Sequence, residues 1–198
     1  MTNTNGPSQF LLAEYRELRA EILKRSEMQH QLISIALVAL AGLTSIGLKE
    51  SPIALLAYPM LVLFLSAAWS YNDIQIAQLG SYIRYRIEEQ LIGDGLGWEH
   101  AILADAASKR IGARAKLATR GLFWGTECLA VGLYLLKRIS VGWPTPPGER
   151  QAEIVVFMIG VVAIPLTFLI MRNQDWLVQR IAESMRKVPT AVNSGKPT

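Results

Sequence analysis

Four apolar blocks alternate along the chain with polar segments that keep a helical rhythm. Leu32 to Leu48, Ile53 to Ala68, Gly121 to Leu136 and Ile154 to Met171 run sixteen to eighteen residues each. A helix needs roughly seventeen to twenty-five residues to cross a hydrocarbon core, so the blocks sit at the short end of spanning length. The pattern predicts four transmembrane helices. The second block does not stop with its last apolar residue. It passes through Trp69, Tyr71, Asn72 and Asp73 into Ile76, Leu79, Ile83, Ile87 and Leu91, whose spacing of three and four marks one face of a helix. We read Ser51 to Leu91 as one rod that crosses a bilayer and projects beyond it, about 60 Å long at 1.5 Å per residue.

The flanking segments divide the rest. Residues 1–7 (MTNTNGP) have no periodic content and are expected to be disordered. Residues 8–31 read as a cytoplasmic amphipathic helix capped by Ser8, with Leu11, Tyr15, Leu18 and Ile22 on one side. That side suits packing on the polar half of the rod, a coiled-coil seam between subunits, or lipid headgroups. Residues 32–72 form the first transmembrane hairpin, closed by Lys49, Glu50, Ser51 and Pro52, with Ser51 as cap and Pro52 at the first helical position. Residues 73–120 form a cytoplasmic helical segment. Gly93, Gly95 and Gly97 end the rod there, and Trp98 to Thr119 make a further helix with a basic side. Residues 121–171 are the second hairpin, with a rigid turn around Pro144, Pro146 and Pro147. Residues 172–198 are a cytoplasmic helix and a fraying tail. Pro59 and Pro165 predict kinks in spans two and four.

Composition agrees with this all-α, polytopic reading. Hydrophobic residues make up 51% of 198, and a chain of this length cannot wrap four such helices in a polar shell. The first block is preceded by about thirty residues that include Glu14, Glu17, Glu21 and Glu27, which is unlike a signal peptide. The lone Cys128 has no partner for an internal disulfide. Lys and Arg number four in residues 1–31, seven in 73–120 and five in 172–198, against one in the first hairpin turn and three in 137–153. Sixteen against four places both termini and the central helices in the cytoplasm by the positive-inside rule.

Candidate chemistry is sparse. His30 and His100 have no companions at metal-ligand spacing, and no nucleophile or metal motif is present, so neither enzyme activity, nor a metal, nor a cofactor is expected. The GDGLG string at 93–97 lacks the Lys-Ser or Lys-Thr of a phosphate loop. Glu127 stands out, seven positions into span three, where an ionised carboxylate costs at least about 2.5 kcal/mol unless it is paired, protonated or hydrated. One reading makes it a pore-lining or ion-binding group, with Thr126 and Gly125 beside it and Gly125, Ala130 and Gly132 permitting close packing. The other makes it a glutamate bonded to Ser34, Thr44 or Thr126. A second candidate is the positive charge of Arg84, Arg86, Lys109, Arg110, Arg114 and Lys116, which suits anionic lipid headgroups or a phosphate-bearing ligand. Tyr82, Tyr85 and Trp98 are candidates for stacking on a base of such a ligand.

The stretches EYRELRAEI at 14–22 and WSYNDIQIAQLGSYIRYRIEEQL at 69–91, with LGWE at 96–99, give the chain a familiar layout. Residues 10–99 resemble bacterial membrane effectors of the SLATT type, in which an amphipathic helix precedes a two-helix membrane hairpin and a long projecting helix. The second hairpin at 121–171 departs from that two-span layout. The resemblance implies an inner-membrane homo-oligomer that opens a pore in anti-phage defence, signalled by a nucleotide second messenger or a cytoplasmic partner protein, with no duplex nucleic acid bound. The residues themselves leave two rivals open: a membrane scaffold for a cytoplasmic partner, and a small ion-coupled transporter.

Overall fold

The computed structural model describes residues 6–88, 106–141 and 147–187. Among them every element is helical: α1 (Gly6–Lys49), a 3-10 turn (Pro52–Leu56), α2 (Ala57–Tyr82) with a π-helical continuation (Ile83–Glu88), α3 (Ala106–Val141) and α4 (Pro147–Lys187). Three helical stretches are long and apolar enough to cross a membrane, Gln9–Lys49, Pro52–Glu88 and Arg150–Arg186. The remaining block, Gly121 to Leu136, is not among them. It is sixteen residues long, it carries Glu127, and Arg120 and Lys137 stand directly at its ends.

α1 begins at Gly6, two residues ahead of the expected cap Ser8. Pro7 explains the difference, because its fixed φ and missing N–H suit the first turn of a helix. From Ser8 to Ala41 the chain then contains neither Gly nor Pro and is rich in Leu, Ala, Glu and Arg, so nothing interrupts the helix. The Arg25 guanidinium adds an i,i+4 contact to Glu21 at 2.8 Å.

The turn after α1 follows the Ser51-Pro52 signal, but Ser51 makes no side-chain cap bond and the element it opens is a 3-10 turn. The Ala57 N–H donates to the Ala54 carbonyl, and regular α-helix starts only at Ala57. Pro59 therefore falls in the first turn of α2, where a missing N–H costs little. The interruption expected inside span two is instead a change of helix type ahead of it. Pro165 does lie inside α4.

The described residues divide into two compact units. The first gathers residues up to Met28, Asn72–Arg114 and from Gln174 onward. In it Ile83 and Ile87 are fully buried, the Tyr82 hydroxyl donates to Glu14 at 2.9 Å, and Gln174 donates to Asp73.

The second unit gathers Gln29–Tyr71 and Ala115–Asn173. Ala36, Tyr58, Val62, Trp69, Phe123, Ala130 and Met171 form its main core, and Leu55, Leu56 and Tyr134 a smaller one. Its outward faces are apolar as well: Val38, Phe64, Leu136, Val155 and Phe168 are all exposed. Apolar residues both inside and outside are the arrangement that lipid tolerates and water does not. Close helix approach is made at Gly47, where an added Cβ would fall on the Leu55 side chain, and at Gly160, which packs on Leu56 and Pro59. The expected close-packing glycines Gly125 and Gly132 have no atom within 4 Å of an added Cβ.

Candidate functional site

α3 buries Phe123, Glu127, Ala130 and Tyr134, a spacing of four, three and four that defines one helix face. Glu127 thus occupies a core position among apolar neighbours and is fully buried, at 0% exposure. Its partner is Thr167 of α4, also fully buried, whose Oγ1 donates to Oε1 at 2.7 Å. None of the three partners expected from sequence fills that role. Ser34 donates to the His30 carbonyl, and Thr126 to the carbonyls of Leu122 and Phe123, as hydroxyls in helices commonly do. Thr44 is half-buried on α1 and makes no described bond to Glu127.

The other carboxylate oxygen, Oε2, is buried without a hydrogen-bond partner. Tyr58 of α2 is fully buried, faces Thr126 and lies within electrostatic reach of Glu127. Its hydroxyl closes no hydrogen bond. Three helices of one chain therefore enclose a carboxylate, two threonine hydroxyls and a phenol, with two of the polar atoms unmatched. Gly125 turns to the exposed side of α3 and Thr126 is half-buried, so of the three residues grouped around this position only Glu127 reaches the interior.

A second buried carboxylate was not anticipated. Glu153, 4% exposed, accepts a 2.6 Å hydrogen bond from the Tyr134 hydroxyl and lies 3.4 Å from the Arg138 Nε. It is one residue ahead of the fourth apolar block, where carboxylates are ordinarily solvated. The available signal was the i,i+4 pair Tyr134 and Arg138 opposite it. Nearby, the Lys137 ammonium donates to the Leu48 carbonyl in the last turn of α1 at 3.0 Å, a favourable position for a cation.

In the first unit the Arg84 guanidinium lies over the Tyr85 ring, 5.0 Å from its centroid. Tyr82 is committed to Glu14. That bond to a carboxylate holds the phenolic proton and, with partial burial and the negative charge of Glu14, pushes the Tyr82 pKa up from its ordinary value. Arg86 is half-buried and lies within electrostatic reach of Tyr82. Arg110 and Arg114 are exposed on α3 and Lys116 is half-buried. Trp98, His100, the glycines at 93–97 and the Lys109 side chain lie outside the described residues.

No protein-family model, curated protein or solved structure matches this chain.

Proposed function

We propose that the chain is a non-enzymatic protein of the bacterial inner membrane that crosses the bilayer four times with both termini cytoplasmic, assembles with copies of itself and conducts ions when signalled. Glu127 is the polar group on the path. The observation that carries this reading is its full burial with one oxygen bonded to Thr167 and the other unmatched. An unsatisfied buried acceptor costs about 1–3 kcal/mol. Intramembrane carboxylates held at such cost mark ion or proton pathways. Because α2, α3 and α4 of one chain enclose the carboxylate, the path runs between helices of a protomer, rather than through a ring of glutamates at a shared seam. α3 supplies the fourth crossing: its charge is turned inward while Trp124, Leu129 and Leu136 face outward.

Following the resemblance of residues 10–99, the opening signal is a nucleotide second messenger or a cytoplasmic partner, and the setting is anti-phage defence. Arg110, Arg114 and Lys116 engage anionic lipid headgroups. The test is ion flux through proteoliposomes holding an oligomer verified by light scattering. Wild type is expected to dissipate a K⁺ or H⁺ gradient, and Glu127→Gln to alter selectivity or lower the rate by about tenfold, the equivalent of 1.4 kcal/mol. Thr167→Val, which keeps the carboxylate and removes its donor, is expected to shift the pH dependence of flux. Absence of flux from a verified oligomer with any candidate nucleotide present would sink the reading.

A scaffold is the second reading, favoured by Phe10 and Leu23, which are 70% and 72% exposed on the polar half of α1. It predicts no flux and a stoichiometric cytoplasmic partner lost on Leu23→Glu. Flux strictly coupled to a second solute would instead indicate a transporter.

A further inference from the structure

Within the first unit, α1, α2 and α4 leave a groove of about 280 Å³ between them. Ile22, Ile76 and Val178 form its apolar walls, Ala77 and Ala182 hold it open, and Arg84 and Tyr85 close one side. The Arg84 Nε is buried and has no hydrogen-bond partner. A guanidinium donor without a partner is costly by itself, and an anion in the groove that Arg84 lines would gain from the charge of the same guanidinium. Independently, the helix changes from α to π at Ile83, just before these two residues. π-Helical turns concentrate at functional sites, and this one presents the consecutive Arg84 and Tyr85 to the same groove.

We propose that this groove binds a small amphipathic monocarboxylate, with the carboxylate on Arg84 and an aliphatic or aromatic body between Ile22, Ile76 and Val178. The lining selects the class. One guanidinium balances one negative charge, and Arg86 is not among the lining residues. A polyphosphate would leave most of its charge against apolar walls, at a cost the site does not offset. Size narrows it further. An apolar cavity of about 150 Å³ accepts benzene, so this groove takes a body about twice as large, a naphthyl ring system or a ten-carbon chain. The inference does not depend on ion conduction, since its readout is binding.

The experiment is equilibrium dialysis of the full chain in nanodiscs, with empty nanodiscs as reference and 2-naphthoate, decanoate and their neutral amides, naphthalene-2-carboxamide and decanamide, as probes. Saturable binding of one acid, at least about tenfold tighter than its own amide, is the expected result. The more tightly held acid tells whether the natural ligand is a soluble aromatic acid or a fatty acid. Arg84→Met, which keeps the apolar stem, should abolish the advantage of acid over amide. Ala182→Leu should weaken binding of acid and amide together by filling the groove. Both variants are compared only when their helical content and elution match wild type. No saturable binding of either acid, equal binding of acid and amide, or an Arg84-dependent preference for ATP over both acids would each overturn the proposal.

Discussion

At the scale of single residues, contact decides which small or polar side chain matters. Gly47 and Gly125 look alike in the sequence, each a glycine in an apolar helix. An added Cβ at Gly47 falls on the buried Leu55 side chain, whereas at Gly125 it meets open space. Gly47→Ala is therefore expected to destabilise the protein by about 1–3 kcal/mol through overpacking. Gly125→Ala should instead be neutral or stabilise by up to about 1 kcal/mol from helix propensity. Melting of the two variants in detergent, followed by tryptophan fluorescence, checks the pair, and equal effects would contradict the assignment. The same contrast explains what was readable beforehand. Glu127 announced itself because a carboxylate in an apolar run breaks a local rule. Thr167 did not, because which hydroxyl of span four meets span three depends on the register between two helices, and neither periodicity contains it. Glu153 stayed hidden for a related reason: its burial comes from Tyr134 and Arg138 on another helix.

At the scale of elements, the helical character of the chain was legible, and where one helix ends and the next begins was not: the amphipathic segment 8–31 and the first apolar block are one helix, Gly6–Lys49, and the third block lies inside Ala106–Val141. The Ile76 to Ile87 stripe does face inward, with Ile83 and Ile87 fully buried. The rod, however, is three successive helix types, 3-10, α and π, since side-chain spacing does not distinguish hydrogen-bond patterns that differ by one residue. The Tyr82 to Glu14 bond is one of the contacts between α1 and α2, and its pH response has a definite sign. The folded-state pKa of Tyr82 is raised, so the bond contributes fully below the ordinary tyrosine value near 10 and is lost as pH climbs through the higher folded value. The stability that this bond contributes should be constant across neutrality and decline across that alkaline window. Tyr82→Phe should remove this part of the alkaline decline. An unchanged alkaline limb in the variant would show that other groups govern it.

For the whole molecule, the distribution of apolar residues carried most of the information. Exposed Val38, Phe64 and Val155 on a unit that is also apolar inside are expected from four long apolar blocks, and three helices meet the length and apolarity of a crossing. What composition did not convey is the inequality among the blocks. In the four-crossing arrangement proposed above, α3 is the weak member, and the partner that makes its carboxylate tolerable lies forty residues further along the chain. That ordering has a consequence for biogenesis. While the ribosome is still extending the polypeptide, α3 reaches the translocon before Thr167 exists, with its glutamate uncompensated. It should wait at the lateral gate and enter lipid together with α4, as a pair. Truncations ending before Ile154 are then expected to leave Cys128, the one cysteine of the chain and a residue of α3, open to a membrane-impermeant maleimide, and chains extended past Met171 to shield it. Shielding of Cys128 in the shorter chains would mean that α3 partitions alone.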